Sequence, residues 1–235
     1  MKTIVITWGT AWLWKDIVES LSDDQYKVFV LVKNKTKWEE LFADKKHIHI
    51  VACDITKPNE ITDAVTYIQD TTNHIDTLIN NAGIRTDDEI DTVDRQDNVF
   101  QTNALGNMRC TEEFLSIFKQ QWKGHMINIL SSAALDNHPH GNNKNWKFYG
   151  ASKWAFNWYL QALREDLIDT SLRISNIYPW WFESDLYESA GKKNAHKQPR
   201  MMDTHEVTKA VLFAMQAPED ICVDKIVITK NSKDF

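Results

Sequence analysis

The chain has 235 residues, of which 43% are hydrophobic and 26% charged, so we expect one α/β domain spanning residues 1–235. The formal net charge of −6 argues against nucleic acid or an anionic membrane as the main partner, because an acidic surface attracts neither. A small molecule is the expected ligand, and no stretch approaches the length of a membrane span.

The cysteine pattern argues against a disulfide framework and against a metal site. Cys53, Cys110 and Cys222 are odd in number, widely spaced and in no C-x-x-C arrangement. We therefore expect buried thiols in a reducing compartment. The apolar run after Met1 is too short for a signal peptide, which favours a cytoplasmic protein.

Short β-branched runs alternate with longer segments of helical period, a pattern typical of a parallel sheet covered by helices on both faces. The predicted strands are Thr3–Thr7, Val28–Val32, His47–Val51, Thr77–Asn80, Met126–Leu130, Arg173–Ile177 and Lys225–Thr229. The predicted helices lie near Leu13–Leu21, Lys37–Phe42, Glu60–Gln69, Val99–Lys119, Phe148–Ile168 and Thr204–Met215.

The first predicted strand runs into an unusual turn, Thr7-Trp8-Gly9-Thr10-Ala11-Trp12-Leu13-Trp14. If its three tryptophans are read as glycine, the segment becomes a nucleotide-binding turn, in which backbone N–H groups and a helix N-terminus face a pyrophosphate. Tryptophan is the largest obstruction that could stand at such positions. The segment therefore indicates one function and, as written, impairs it.

A phenol and an ammonium lie four residues apart in Tyr149-Gly150-Ala151-Ser152-Lys153. On a helix this spacing places both on one face, one turn apart. A fixed cation favours the phenolate and so lowers the phenol pKa, which suits the phenol to acid/base work near neutrality. The alternative is two residues on a solvated helix face.

Polar residues also follow two predicted strands, at the sheet edge where open α/β proteins bind ligands. Asn128-Ile129-Leu130-Ser131-Ser132 ends in two hydroxyls that could hold a carbonyl oxygen, or could only cap a helix. Asn80-Asn81-Ala82-Gly83 closes another strand, and Asn103 lies at the start of a long helical stretch. Asparagines at strand ends are also common turn formers.

In this order and at these spacings, the segments resemble the short-chain dehydrogenase/reductase family over essentially the whole chain. The matching segments are the turn Thr7 to Trp14, Cys53-Asp54-Ile55, Asn80 to Gly83, Asn103, Ser132, Tyr149 to Lys153 and Asn176-Ile177-Tyr178-Pro179. The resemblance implies a single Rossmann-type, doubly wound α/β domain with a seven-stranded parallel sheet flanked by helices. It also implies a nicotinamide cofactor at the strand ends and, as is common in the family, a homodimer or homotetramer.

The resemblance carries catalytic roles onto four residues. Tyr149 would be the general acid/base, and Lys153 would lower the Tyr149 pKa and bind the nicotinamide ribose. Ser132 would hold the substrate oxygen, with Ser131 as the alternative. Asn103 would support a proton relay through water.

The same resemblance assigns the cofactor-binding positions. Asp54 would meet the adenine, and the backbone of Asn81 to Gly83 would line the adenosine ribose. The full set is Thr7, Gly9, Thr10, Trp12, Leu13, Trp14, Lys33, Asp54, Ile55, Asn81, Ala82, Gly83, Tyr149, Lys153, Pro179, Trp180, Phe182 and Ser184.

NADP(H) is preferred over NAD(H) because of the residues that follow the second strand. Leu31-Val32-Lys33-Asn34-Lys35 contains no carboxylate that could accept hydrogen bonds from a ribose 2′-OH, the usual mark of NAD selectivity. Lys33 and Lys35 could instead meet a 2′-phosphate.

Several of the ten tryptophans stand where this family typically has glycine, while the chain has only seven glycines. They are Trp8, Trp12, Trp14, Trp122, Trp158 and Trp180. We hypothesise that these positions are encoded by UGA, a codon that some genetic codes read as glycine and others as tryptophan. Deliberate engineering of a cofactor-blind variant is a competing account.

The two readings of the tryptophans lead to two classes of function. With glycine, the chain is an NAD(P)(H)-dependent oxidoreductase acting on a carbonyl or alcohol. With genuine tryptophan, the indoles occupy the pyrophosphate volume, and the chain is a non-catalytic protein of the same fold with a structural or regulatory role.

Overall fold

A computed structural model describes residues 1–8, 11–21, 24–85, 92–135, 147–186 and 201–231. Seven strands form one sheet in the order β3-β2-β1-β4-β5-β6-β7, and every neighbouring pair is parallel. The strands are β1 Lys2–Thr7, β2 Tyr26–Val32, β3 Ile48–Ala52, β4 Thr77–Asn80, β5 Gly124–Ile129, β6 Leu172–Pro179 and β7 Lys225–Ile228. All seven predicted strands are therefore present.

Helices cover both faces of this sheet, as predicted. They are α1 Ala11–Glu19, α2 Lys35–Leu41, α3 Pro58–Thr71, α4 Val93–Phe100, α5 Asn107–Gln121, α6 Lys147–Asp166 and α7 Thr204–Gln216. Two hydrophobic cores result, one under α1, α2 and α7 and the other under α3, α5 and α6. Side chains alternate between them along a strand: Ile4 and Ile6 belong to the first core and Val5 to the second.

The predicted helix Val99–Lys119 is wrong as one continuous α-helix. The segment Gln101–Gly106 is a π-helix between α4 and α5, so Asn103 lies in mid-helix and not at a helix start. A Cβ at Gly106 would lie 2.9 Å from the Ile55 carbonyl oxygen, so only glycine fits this contact. The widened turn carries Asn103, and π-bulges of this kind are frequent at functional sites.

The strand order reverses between β1 and β4, which opens a crevice at the carboxyl ends of these strands. The predicted Rossmann-type α/β fold is confirmed. Strand β6 extends to Pro179 because its last residue pairs with Ile228 of β7, two residues beyond the predicted end. In the described ranges, no helix is both long and apolar enough to cross a membrane.

The prediction of buried thiols is confirmed for two of the three cysteines. Cys53 and Cys110 are buried, but Cys222 is exposed because it follows α7 in the segment before the edge strand β7. Within the described part of the chain, no cluster of three or more His, Cys, Asp or Glu side chains is arranged to hold a metal ion.

Candidate active site

Tyr149 lies in the first turn of α6 and is buried at 7% exposure. Burial raises the pKa of its phenol, while a side-chain hydrogen bond with Ser131 and the positive charge of Arg85 act in the opposite direction. Ser131 directly follows Leu130 at the end of β5, and its Oγ also accepts a hydrogen bond from the Ala133 N–H, 3.1 Å away. The phenol and the serine loop are thus brought together from two elements.

Lys153 follows one turn after Tyr149, and its ammonium is buried at 4% exposure. Its Nζ donates to the Ile129 carbonyl oxygen at 2.9 Å, and desolvation lowers the Lys153 pKa to about 8. A Cβ at Gly83 would be 3.4 Å from this Nζ and 3.6 Å from Asn103 Oδ1. The end of β4, the π-helix and α6 therefore meet at one point.

The Asn103 amide is fully buried and makes two hydrogen bonds to one residue. Its Oδ1 accepts from the Ile84 N–H at 2.8 Å, and its Nδ2 donates to the Ile84 carbonyl oxygen at 2.8 Å. The Nδ2 also lies 3.1 Å from the Ser152 Oγ. Asn103 thus fixes the backbone that follows Gly83.

A second asparagine on α6 fixes the serine loop. Asn157 is one turn beyond Lys153, and its Nδ2 donates to the Ala134 carbonyl oxygen at 3.0 Å. Its Oδ1 accepts from the Tyr178 hydroxyl at 2.7 Å, and both side chains are buried. The pair ties α6, β6 and the 3₁₀ turn Ser132–Ala134 together.

A cavity of about 30 Å³ lies over Tyr149. Among its walls, Ser184 is only 1% exposed, and its Oγ has no hydrogen-bond partner among the described residues, which is the condition expected of a group that binds a polar ligand. The described residues lining the cavity are Arg85, Leu130, Ser131, Ser132, Tyr149, Pro179, Trp180, Trp181, Phe182, Ser184 and Leu186.

Thr7 joins the ends of β1 and β4. Its Oγ1 accepts from the N–H groups of Asn81 and Ala82 at 3.0 and 2.9 Å, and the Asn81 Nδ2 donates to the Thr7 carbonyl oxygen at 3.3 Å. These bonds shape the crevice at the switch point. The predicted contacts of Gly9 and Thr10 lie outside the described residues.

The tryptophans of the predicted nucleotide turn do not all behave as expected. Trp14, which we expected in the pyrophosphate volume, is fully buried in the core, where its ring meets Trp38 at 4.8 Å and Phe42 at 5.6 Å. The adjacent Leu13 is also buried, because both positions face the sheet. Trp12 remains 41% exposed in the first turn of α1.

The predicted adenosine end of the site is held by an ion pair. Lys33 Nζ lies 3.0 Å from Asp54 Oδ2, and Asp54 also accepts hydrogen bonds from the Thr56 N–H and hydroxyl. Although burial opposes it, these bonds and the Lys33 charge lower the Asp54 pKa. Lys35 instead pairs with Glu39 on α2, 3.2 Å away, and Ile55 is buried.

As written, these residues do not fit a nicotinamide cofactor. A cavity of about 30 Å³ has room for about one water molecule and none for a nicotinamide ring. Trp180 and Trp181 form part of its wall, and Trp12 adds an indole at the helix N-terminus that would face a pyrophosphate. The predicted acid/base residues lie together, whereas the cavity beside them, as its described walls define it, is too small for a nicotinamide ring.

Sequence reasoning did not single out Arg85 or Asn157, and it assigned no role to Tyr178, which it named only within a matching segment. Arg85 could have been noticed because it follows Asn80 to Ile84 at the ligand edge of the sheet. Asn157 could have been noticed from its spacing of four residues after Lys153, which repeats the face of the helix. Tyr178 gave no such signal, since its partner is far away in sequence.

Comparisons with known proteins agree with this architecture. The family model of the short chain dehydrogenases matches residues 2–195. An uncharacterized oxidoreductase of Staphylococcus aureus is 24% identical over 231 residues, covering 97% of this chain and 96% of the relative. A similar oxidoreductase of Staphylococcus epidermidis is 23% identical over 230 residues, with the same coverage.

Solved structures show the same fold. Serine dehydrogenase from Escherichia coli has a TM-score of 0.81 at 21% identity, covering 97% of both chains. An alcohol dehydrogenase from the archaeon Thermococcus sibiricus, complexed with 5-hydroxy-NADP, has a TM-score of 0.82 at 18% identity, covering 97% of this chain and 96% of its own. This chain belongs to the short-chain dehydrogenase family and is an oxidoreductase acting on CH–OH or C=O groups.

Proposed function

We propose that the natural protein is an NADP(H)-dependent reductase or dehydrogenase in which Tyr149 exchanges a proton with the substrate oxygen. The observation that carries this proposal is the convergence of Tyr149, Lys153 and Asn103 at the carboxyl edge of the sheet. The cofactor would supply the hydride in reduction and accept it in oxidation. Tyr149 would give its proton to the carbonyl oxygen or take it from the hydroxyl.

Ser131 and Ser132 line the cavity together with Ser184, and of the two adjacent serines we assign the substrate oxygen to the one that is hydrogen-bonded to the phenol. Ser131 is hydrogen-bonded to Tyr149, so an oxygen bound there would also face the acid/base. Ser132, the position that we favoured from the sequence, begins the 3₁₀ turn and shares the cavity wall. A comparison of Ser131→Ala with Ser132→Ala separates the two assignments, because only loss of the hydroxyl that binds the substrate should lower kcat strongly.

The preference for NADP(H) rests on charge at the end of β2. Lys33 is 48% exposed at its side chain and forms an ion pair with Asp54 at 3.0 Å, so its ammonium could exchange this partner for a 2′-phosphate. Solved relatives include serine dehydrogenase complexed with NADP⁺ and the archaeal enzyme complexed with 5-hydroxy-NADP. Both support a 2′-phosphorylated cofactor.

We also propose that glycine is the natural residue at Trp8, Trp12, Trp14, Trp122, Trp158 and Trp180. Trp122 supports this proposal because, among the described residues, it is the only non-glycine residue with a positive φ, 55°. It lies at the C-cap of α5, where glycine is the usual residue. The indole N–H groups of Trp8 and Trp14 are buried with no acceptor in the described part of the chain, although buried tryptophan normally finds one.

The test begins with the codons of the source gene. UGA at these six positions is the expected result, and UGG would contradict the proposal. The chain is then prepared both as written and with glycine at all six positions. Titration with NADPH should give a micromolar Kd for the glycine form and at least about 100-fold weaker binding for the chain as written, because the indoles fill the site.

A second candidate function follows from the core position of Trp14. Its packing on Trp38 and Phe42 shows how the fold accommodates one indole, which would suit a non-catalytic protein with a structural or regulatory role. UGG codons, together with a stable glycine form that fails to bind NADPH, would favour this candidate. Micromolar binding by the glycine form, with UGA codons, would reject it.

A further inference from the structure

We propose that a chain of buried polar side chains couples the position of the π-helix to that of the serine loop, and that its members are positioning residues for the reaction. The role in the reaction rests on the proposed oxidoreductase function, whereas the coupling itself can be measured without turnover. The side chains cross the sheet on the face that α5 and α6 cover. We call them the polar chain, and they are Thr111, Asn80, Asn128, Asn176, Tyr178 and Asn157.

Asn107 attaches one end of the polar chain to the π-helix. Its Nδ2 reaches the carbonyl oxygens of Ala82 and Thr102 at 3.0 Å and that of Asn103 at 3.2 Å. A π-helix departs from the regular hydrogen-bond pattern of an α-helix, and Asn107 supplies a donor where that departure occurs. The Thr111 Oγ1 in turn donates to the Asn107 carbonyl oxygen at 2.8 Å. The polar chain therefore begins where the π-helix and the end of β4 meet.

Three asparagines carry the polar chain across neighbouring strands. The Asn80 Nδ2 donates to the Thr111 Oγ1 and to the Asn128 Oδ1, both at 2.9 Å, and the Asn128 Nδ2 donates to the Asn176 Oδ1 at 3.0 Å. Asn80, Asn128 and Asn176 are register partners on β4, β5 and β6, which sets them in one row. Each is at most 4% exposed, and hydrogen bonds in such a buried row strengthen one another.

The other end of the polar chain holds the serine loop. Asn176 is hydrogen-bonded to the hydroxyl of Tyr178, two residues further along β6 on the same face of the sheet. The Tyr178 hydroxyl donates to the Asn157 Oδ1 at 2.7 Å, and the Asn157 Nδ2 donates to the Ala134 carbonyl oxygen at 3.0 Å. Ala134 is the last residue of the 3₁₀ turn that begins at Ser132. The polar chain thus ends on the loop that carries the candidate substrate-binding serines.

Both ends hold groups that the proposed reaction needs. At the π-helix, Asn103 fixes the backbone of Ile84 through two hydrogen bonds of 2.8 Å. At the serine loop, Ser131 is hydrogen-bonded to Tyr149. A movement of either end must break a buried hydrogen bond or move the next member, because an unpartnered buried donor or acceptor is costly. The two halves of the candidate site therefore keep one relative position.

A double-mutant cycle of Thr111→Val and Tyr178→Phe in the glycine form tests this coupling. Each substitution removes one hydroxyl and keeps the shape of the side chain. The kcat for oxidation of isopropanol with NADP⁺ should fall about 10-fold in each variant and about 10-fold, not about 100-fold, in the double variant, because the second change acts on a chain that is already broken. Thr111→Ser keeps the hydroxyl and should retain most of the activity. The NADPH Kd and the pH profile of kcat should stay unchanged.

Thr208→Val is the matched control for the loss of a buried threonine hydroxyl. Thr208 is fully buried on α7, over the other face of the sheet, and its Oγ1 has no partner among the described residues. Its effect on kcat should multiply with that of Tyr178→Phe, as is usual for independent sites. If Thr111→Val and Tyr178→Phe also multiply, the proposal is overturned. Unchanged kcat in both single variants, with a lower free energy of unfolding, would mean that the polar chain only stabilises the fold and would overturn it too.

Hydrogen exchange separates failure of this inference from failure of the proposed function. Tyr178→Phe should speed exchange of the Ile84 N–H, which Asn103 binds at the opposite end, at least about 10-fold more than exchange of the Val28 N–H in β2. This selective increase would support the coupling even if the glycine form oxidises no alcohol. An equal increase at both amides would indicate a general loss of stability. That result, or an unchanged rate at Ile84, would overturn the coupling even in an active enzyme.

Discussion

The Lys153 ammonium and the Asn103 amide are buried with backbone partners, whereas the indole N–H groups of Trp8 and Trp14 are buried with no acceptor among the described residues. These two regions meet at the same edge of the sheet. One, which we call the acid/base region after its proposed role, is formed by α6, the π-helix and the serine loop. The other is the nucleotide turn, the segment from Thr7 to Trp14, of which residues 7–8 and 11–14 are described.

A well-packed region must bury apolar area and must also satisfy its buried hydrogen-bonding groups, and the two regions differ in the second requirement. In the nucleotide turn, burial of apolar area is met, because Trp14 packs against two aromatic rings. The indole N–H groups of Trp8 and Trp14 have no acceptor among the described residues, and an unsatisfied buried donor costs about 1–3 kcal/mol. In the acid/base region, Lys153 and Asn103 are both buried and hydrogen-bonded, as is expected of residues that are native to their positions.

The largest expected effect tests the acid/base region. In the glycine form, Tyr149→Phe should reduce the rate of alcohol oxidation about 10²–10⁴-fold, because general acid/base catalysis is lost. The NADPH Kd should change little. Tyr159→Phe is the matched control, since this hydroxyl lies on the same helix but binds Glu112, 2.7 Å away. Retained activity in Tyr149→Phe would remove the phenol from the mechanism.

The pH dependence of stability tests the same region without a ligand. The Lys153 pKa is about 8 in the folded chain, against 10.5 for the free side chain. Between these values the unfolded chain holds the proton that the folded chain has released, so Lys153 makes stability rise with pH across this window. The difference between the two pKa values corresponds to about 3 kcal/mol at most.

Urea unfolding of the chain and of Lys153→Met, from pH 7.5 to 10.5, isolates this contribution. Buried cysteines make stability fall with pH, since burial raises the pKa of Cys53 to about 12. Only the difference in stability between the two forms is therefore informative. Lys209→Met, on an exposed face of α7, is the control. A difference that stays constant with pH would contradict the lowered Lys153 pKa.

The sequence predicted the fold more fully than the site. Strand positions followed from β-branched runs, since a strand buried on both faces is apolar throughout. The π-helix could not be predicted, because it depends on how closely Gly106 approaches the Ile55 backbone, a contact between distant segments. The break in the long helix therefore appears only in three dimensions.

Within the site, local spacing identified Tyr149 and Lys153, which share a helix face. It did not distinguish Ser131 from Ser132, because adjacent residues differ only in which direction the loop turns them. Nor did it reveal that Trp14 faces the core. That orientation depends on the rotation of α1 against the sheet and on the aromatic rings of α2.

The exposed ammonium of Lys33 tests whether the cofactor region selects NADP(H) over NAD(H). In the glycine form, Lys33→Met should weaken NADPH binding about 10- to 100-fold, because a charge-assisted contact with the 2′-phosphate is lost. NADH binding should change little. Lys35→Met, which loses only an exposed pair with Glu39, should have a smaller effect. An equal loss for both cofactors would argue against a 2′-phosphate contact.

The pair formed by Asn157 and Tyr178 tests whether the serine loop needs its anchor. Asn157→Ala and Tyr178→Phe should each lower kcat about 10-fold in the glycine form, because small misplacements of reacting groups are costly. The NADPH Kd and the pH profile of kcat should stay unchanged, which separates positioning from proton transfer. Gln161→Ala, one turn further along α6 and exposed, is the control.

The smallest expected effect is on the free energy of unfolding, when glycine replaces each of two exposed tryptophans. Trp122 has φ 55° at the end of α5, so Trp122→Gly should stabilise the chain by about 1 kcal/mol in urea unfolding. Trp158 lies within α6 and is 68% exposed, so Trp158→Gly should cost about 0.5 kcal/mol through lower helix propensity. The two exchanges remove the same side chain, and only the backbone conformation separates them. Equal effects would mean that φ at Trp122 imposes no cost, and the strongest conformational support for glycine at that position would be lost.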